Sequence, residues 1–436
     1  MQQRLLPVAS VTLAACLSLI LGGQPVSAAT PEPVLAPTVI AGSTAPVPTR
    51  AGLEAKLTPL LTSRSMGVSA AIVLDPATGE FLYDRGAQSP QVPASTTKLV
   101  TAAAALHLLG AQTRLATTVL STGKTLTLVG GGDATMVTGT RPRSAASLTD
   151  LARTVAAALP AGSSAVVNYD DSLFSGPELA RDWSRGWPAA GVVAPVTALM
   201  TDEGRVSKNS IARSADPART AAKRFVELLK AGGVKARLGS SAKADEGAEE
   251  IARVESPPIS TLVQQMLTDS NNDLAESLAH LVGLKSTGRA SFATGASATI
   301  QAVSELGVST VGMKLVDGSG LSGGNRIAPT TLASLISAAA GDQADELWPI
   351  VSGMPVAGLT GTLADRFDAK AMKQAVGYVR AKTGSLNDTV ALAGSVRDRD
   401  GRVLVFAVLA NNIPSVGAAR ATVDRIANQL AKCGCR

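Results

Sequence analysis

The sequence predicts an α+β fold: one antiparallel sheet built from both ends of the chain, flanked by helices, with an inserted accessory domain. Three observations lead there. Short apolar runs separated by strong turn signals stand near both ends. Long helical runs flank them. The stretch between has a different character, with short strands, polar loops and charged helices. The chain has 436 residues, 45 % hydrophobic and 17 % charged, enough for roughly two to three domains and a substantial core.

The elements follow in order. Residues 1–28 read as an export signal: Arg4, an apolar run from Leu5 to Leu21, and the small-residue cleavage site Val26-Ser27-Ala28. Pro7, Gly22, Gly23 and Pro25 suit a signal peptide better than a membrane span. The apolar run continues past Cys16, which argues against lipidation there. The mature protein is therefore expected outside the cytoplasm, wall-associated or secreted. Residues 29–50, rich in Pro, Ala and Thr, read as a flexible leader.

Ala51 to Leu61 reads as a first helix. Gly67 to Leu74 and Glu80 to Tyr83 read as strands around the turn Asp75-Pro76-Ala77-Thr78-Gly79. A helix from Thr96 to Leu109 stops at Gly110. The middle region, 111–254, contains strands Thr125 to Val129 and Ala165 to Tyr169, a helix from Pro217 to Lys230 capped by Asp216, and a charged connector from Ala242 to Glu250. Helices Ile259 to Leu267 and Leu274 to Val282 come next. Strands Tyr378 to Lys382, Thr389 to Val396 and Val403 to Ala410 precede a final helix from Ala418 to Lys432. This pattern gives a catalytic domain of 51–110 plus 255–436 and an inserted domain of 111–254.

Composition excludes some functions. Net charge is +6, falling by one once Arg4 is removed, but no basic block stands out and aromatics are only 3 %. Nucleic-acid binding is therefore disfavoured, and the charge reads as a mild attraction to anionic surroundings such as a cell wall. The two histidines, His107 and His280, fall in apparent helices and read as structural. No metal or organic cofactor is implied. Cys433 and Cys435 remain after cleavage; oxidation, metal binding and free thiols all stay open for them.

Three short motifs carry chemistry: Ser95-Thr96-Thr97-Lys98, Ser270-Asn271-Asn272 and Lys382-Thr383-Gly384. Ser95 and Lys98, three apart on a helix, share one face, so a buried lysine amine can serve as base for the hydroxyl. Each alone has an ordinary reading, as a helix cap with a surface lysine. Ser270 to Asn272 lies in an inter-helix loop, where a hydroxyl can relay a proton and an amide can hold a carbonyl. Lys382, Thr383 and Ser385 can bind a carboxylate where a strand ends or is interrupted, with Gly384 admitting a substrate backbone. The ordinary reading of Lys382 is an edge-strand charge that discourages aggregation.

In this order and spacing, the three motifs resemble the signature set of the penicillin-binding D-alanyl-D-alanine carboxypeptidase/endopeptidase family, in the class with a large domain between the first two motifs. Leu128-Val129-Gly130-Gly131-Gly132-Asp133, Ala194-Pro195-Val196-Thr197-Ala198-Leu199, Ser270-Asn271-Asn272-Asp273-Leu274-Ala275-Glu276 and Asp317-Gly318-Ser319-Gly320-Leu321-Ser322 add to the likeness, which covers roughly 51–432. The resemblance implies a serine β-lactamase/penicillin-binding transpeptidase-like domain with Ser95 acylated, Lys98 as proton acceptor and Ser270 as relay. It implies Asn272 as substrate amide and Lys382, Thr383 and Ser385 as the carboxylate site. The implied substrate is the peptidoglycan stem peptide, with β-lactams as covalent inhibitors. Scaffolding is the expected role of Asp317 to Ser322, and a structural one that of Glu276. The short distance from Leu199 to Pro217 departs from the family pattern and implies a reduced third domain. Two other functions share parts of this set: a β-lactamase, which needs a dedicated deacylating base, and a wall-binding or sensing protein, which needs no nucleophile.

Overall fold

The computed structural model describes residues 44–139, 145–207, 209–341 and 344–435. The expected export signal, including Cys16, lies outside the described residues.

The first sheet has strand order β2-β1-β10-β9-β8, all antiparallel. Its strands are β1 (Val68–Leu74), β2 (Phe81–Arg85), β8 (Val379–Leu386), β9 (Thr389–Arg397) and β10 (Val403–Asn411). β1 pairs with β10, from Val68 opposite Asn411 to Leu74 opposite Val405, so the two ends of the chain close one sheet as expected. Strand alternation divides its side chains between two covered faces. Val73, Leu392, Leu404, Phe406 and Val408 meet Leu53, Leu57 and Leu61 of α1 (Arg50–Leu61) and Val423, Ile426 and Leu430 of α11 (Val416–Lys432). Each such buried side chain contributes about 1.5–3 kcal/mol. The opposite face carries α9 (Pro329–Ala340), which packs on β1, β9 and β10.

Behind that face runs α2 (Thr97–Leu109), in which every residue from Thr97 to Leu106 is buried. A helix apolar all round requires neighbours all round. They are α6 (Ile259–Asp269), α7 (Asn272–Thr287), α8 (Phe292–Glu305), α9 and α10 (Ala344–Gly353).

The second sheet has strand order β6-β5-β4-β3-β7 and is mixed. β3 (Ala116–Thr122) pairs antiparallel with β4 (Thr125–Val129) and β7 (Glu249–Glu255), while β5 (Ser164–Asp170) lies parallel to β4 and to β6 (Lys235–Ser241). The parallel steps need crossovers, which carry α3 (Leu148–Ala158) and α5 (Pro217–Ala231). These helices bury Leu151, Val155, Phe225 and Leu229 against Val119, Leu128 and Val167. The chain enters and leaves this sheet side by side: Ser256 N donates to the Leu115 carbonyl at 2.8 Å and Leu115 N to Ser256 Oγ at 2.9 Å.

Two expectations need correction, and two points that the sequence left open are filled in. The connector from Ala242 to Glu250 ends in strand, because β7 begins at Glu249. Strands β3 and β6 carried no clear sequence signal; β6 is an edge strand with few buried positions, so alternation was weak. Residues 44–50 of the expected leader are anchored: Arg402 donates to the Ala45 carbonyl, and Thr49 N to Cys435 O at 2.6 Å. Cys433 and Cys435 are joined in a disulfide.

Candidate active site

Ser95 lies in a tight 3-10 turn, Ala94–Thr96, that leads into α2. Ala94 has φ +47°, a strained conformation for a residue with a Cβ. Neighbouring groups hold the turn: Thr96 Oγ1 donates to Pro93 O at 2.7 Å and Thr97 Oγ1 to Ala94 O at 2.8 Å. A Cβ on Gly384 would stand 2.8 Å from Pro93 O and 3.1 Å from Ala94 Cβ. The glycine therefore lets β8 lie against the Ser95 turn.

Lys98, one turn along the helix, is fully buried. Its Nζ donates to Ser95 Oγ at 3.1 Å, Asn272 Oδ1 at 2.7 Å and the Ser319 carbonyl at 2.7 Å. Burial lowers its pKa to about 8, with partial opposition from Glu276, Asp317 and Asp273. Asn272 Nδ2 donates to Val192 O at 2.8 Å, which fixes the amide with its oxygen toward Lys98.

Ser270 caps α6 in the left-handed region, with φ +56°. Its hydroxyl accepts from Lys382 Nζ at 2.9 Å, and the same amine donates to the Thr383 carbonyl at 2.8 Å. Lys382 is completely buried although β8 is an edge strand, so it is no solvent-facing guard against aggregation. Its pKa falls well below the usual lysine value through burial, aided by repulsion from Lys98. The lysine-threonine-glycine motif lies inside β8, which continues to Leu386 instead of ending there. Thr383 Oγ1 meets Thr362 Oγ1 at 2.8 Å, and Ser385 is exposed.

Two clusters thus form, Ser95-Lys98-Asn272 and Lys382-Ser270-Thr383. Gly384 against Ala94, and the repulsion between the two amines, mark them as neighbours. Asn272 opens α7 and does not lie in a loop; Asn271 is the N-cap, accepting from Leu274 N at 3.0 Å.

Supporting residues surround these clusters: Glu276 and Asp317, named from the sequence, and Trp183, Val192 and Arg213, which sequence reasoning missed. Both Glu276 oxygens accept backbone N–H groups, from Ser319 at 2.7 Å and Gly318 at 3.1 Å, and this aims the Ser319 carbonyl at Lys98. Burial and the nearby Asp317 push the Glu276 carboxyl up to about 8. Asp317 accepts from Trp183 Nε1 at 2.9 Å, Asn325 Nδ2 at 2.7 Å and Gly320 N at 2.9 Å, a scaffolding arrangement. Asp273 accepts from Ala194 N at 2.6 Å and pairs with Arg213 at 3.0 Å, both side chains buried. Among the described residues no group of three or more His, Cys, Asp and Glu is arranged for a metal ion.

The chain matches the model of the D-Ala-D-Ala carboxypeptidase 3 (S13) family over residues 53–214 and 206–433. It is 38 % identical over 420 residues to carboxypeptidase DacB of Mycolicibacterium smegmatis, covering 93 % of this chain and 89 % of the relative. It is 30 % identical over 452 residues to a D-alanyl-D-alanine carboxypeptidase of an Actinomadura species, covering 84 % and 81 %. The structure of penicillin binding protein 4 (dacB) from Haemophilus influenzae shares the fold, with a TM-score of 0.73 and 22 % identity over 88 % of this chain and 99 % of that one. That protein has also been solved in complex with a β-lactam. The family match and the likeness along nearly the whole described length agree: the chain belongs to the D-Ala-D-Ala carboxypeptidase 3 (S13) family and is a serine-type D-Ala-D-Ala carboxypeptidase.

Proposed function

We propose that Ser95 is the nucleophile and Lys98 its proton acceptor in an acyl-enzyme reaction on the D-Ala-D-Ala end of peptidoglycan stem peptides. The partner set of the Lys98 amine carries this reading. Two of its three partners, Asn272 Oδ1 and the Ser319 carbonyl, can only accept. A neutral amine has two N–H donors and one lone pair. The donors satisfy the two acceptors, and the lone pair is left for the Ser95 hydroxyl. A pKa near 8 keeps a useful fraction of that amine neutral at working pH.

Ser95 Oγ attacks the carbonyl carbon between the two D-alanines as its proton passes to Lys98 Nζ. The oxyanion is held by the backbone N–H groups of Ser95 and Ser385, each such donor being worth about 3 kcal/mol. The C–N bond breaks as the proton taken up by Lys98 passes through the hydroxyl of Ser270, held by Lys382, to the leaving amine, which returns Lys98 to its neutral form. Water then hydrolyses the Ser95 ester. Lys382, Thr383 and Ser385 take the terminal carboxylate, and the second hydrogen of Asn272 Nδ2 orients a substrate carbonyl. An amine from a D-amino-acid cross-link can leave in the same way, which gives endopeptidase activity.

The catalytic domain in this reading is 51–110 plus 255–436, with 111–254 inserted. In this reading residues 1–28 are the export signal, and the enzyme acts outside the cytoplasm, wall-associated or secreted. Among the described residues no helix is long and apolar enough to cross a membrane. The test is intact mass after brief exposure to benzylpenicillin. The parent is expected to gain one adduct and Ser95→Ala none; an unmodified, folded parent would overturn the nucleophile assignment.

A further inference from the structure

A cleft of about 740 Å³ opens beside the catalytic machinery, and none of the residues assigned to catalysis lines it. Its walls come from the inserted segment at Gly176 to Arg181, the first turns of α8, and the stretch Met313 to Val316. Its floor is apolar, with Phe292, Ile300 and Met313 among the lining residues. Its charged lining residues are Arg181, Arg289 and Lys314, and no acid lines it. Among the described residues none of these three cations has a carboxylate within ion-pairing distance; the Arg289 guanidinium donates to Ser175 Oγ, at 3.2 Å. The volume falls within the usual range of small-ligand sites, about 300–1,000 Å³.

We propose that this cleft is a second binding site for an acidic peptide stem of the same wall polymer whose other stem is being cleaved. The polymer repeats its peptide stems, and each stem combines carboxylates with small apolar side chains. Those features match three unpaired cations around an apolar floor. The walls also continue into the catalytic machinery. Val316 lines the cleft, and Asp317 to Ser319 follow it, ending at the carbonyl that meets Lys98. Arg181 lines it too, and Trp183, two residues on, binds Asp317. Occupancy would therefore hold the polymer beside Ser95 and raise the local concentration of further stems. This proposal rests on the peptidoglycan reading above.

The test is calorimetric titration of a purified stem tetrapeptide, ending in a single D-alanine, into enzyme first acylated with benzylpenicillin. Acylation fills the Ser95 site and reports independently on the catalytic reading. The expected result is saturable binding to the acylated enzyme, weakened about tenfold by combined Arg181→Ser, Arg289→Ser and Lys314→Ser and by raised salt. The substituted side chains are exposed and lie outside the catalytic groups, so the triple variant should acylate at the parent rate. Absence of binding to acylated parent, or equal binding by parent and triple variant, would overturn the proposal. So would binding of a glycerol-phosphate oligomer in place of the peptide, because the site would then serve a phosphodiester polymer. A parent that does not acylate would instead sink the Ser95 reading.

Discussion

The two sheets are held by different physics. The first is covered on both faces, and β10 is buried at every position. The second is covered mainly by α3 and α5, and its edge strands β6 and β7 expose charged side chains such as Lys235, Glu249 and Arg253. The catalytic motifs all belong to the first sheet and its helices. Yet the inserted region is not a bystander. Its segment 192–213 supplies Val192 O to Asn272, Ala194 N to Asp273 and the Arg213 guanidinium to Asp273. Tolerance to change should therefore follow contact with α7 and not membership of either sheet.

The strongest test of that contrast is Arg213→Ala. It leaves the Asp273 carboxylate buried without its cation, at a cost of about 3–5 kcal/mol. Thermal unfolding should fall sharply, and acylation by benzylpenicillin should slow because Asp273, the neighbour of Asn272 at the start of α7, loses its partner. A variant with parent stability and rate would show that the inserted segment merely sits beside the site.

Within the first region, and at a pH above the raised Glu276 pKa of about 8, Glu276→Gln replaces one of two carboxylate acceptors with a donor facing a backbone N–H. The expected loss is about 1–3 kcal/mol, seen in denaturant unfolding, with slower acylation as the Ser319 carbonyl shifts. Unchanged unfolding would mean that Gly318 and Ser319 hold their places without the carboxylate.

The smallest effect belongs to Arg253→Ala on β7, whose partners Glu250 and Glu255 are exposed. Neither melting temperature nor acylation rate should move measurably. A clear loss there would contradict the distinction between the inserted sheet and its loop.

Much of this was readable in the sequence, for identifiable reasons. Turn residues such as Asp75 to Gly79 separated the first two strands of the sheet, and Gly110 marked the end of the helix that follows Ser95. The three motifs located Ser95, Lys98, Ser270 and Lys382, and the structure brings them into two adjoining clusters. Other parts left no pattern. Edge strands such as β6 and β7 lack alternation because water covers much of their surface. Val192 and Ser319 act through backbone carbonyls, which no side-chain motif encodes. Arg213 meets Asp273 across 60 residues, a pairing set by topology alone. Gly384 was noticed, but its neighbour proved to be the Ser95 turn.

The central claim is that a neutral Lys98 amine takes the proton from Ser95. The most direct measurement is the rate of acylation by benzylpenicillin as a function of pH. Because the neutral amine is the active form, the rate should rise about tenfold per pH unit below the lysine pKa, bend near 8 and level off above it. A rate that stays flat through that region would contradict the account and remove Lys98 from the role of base.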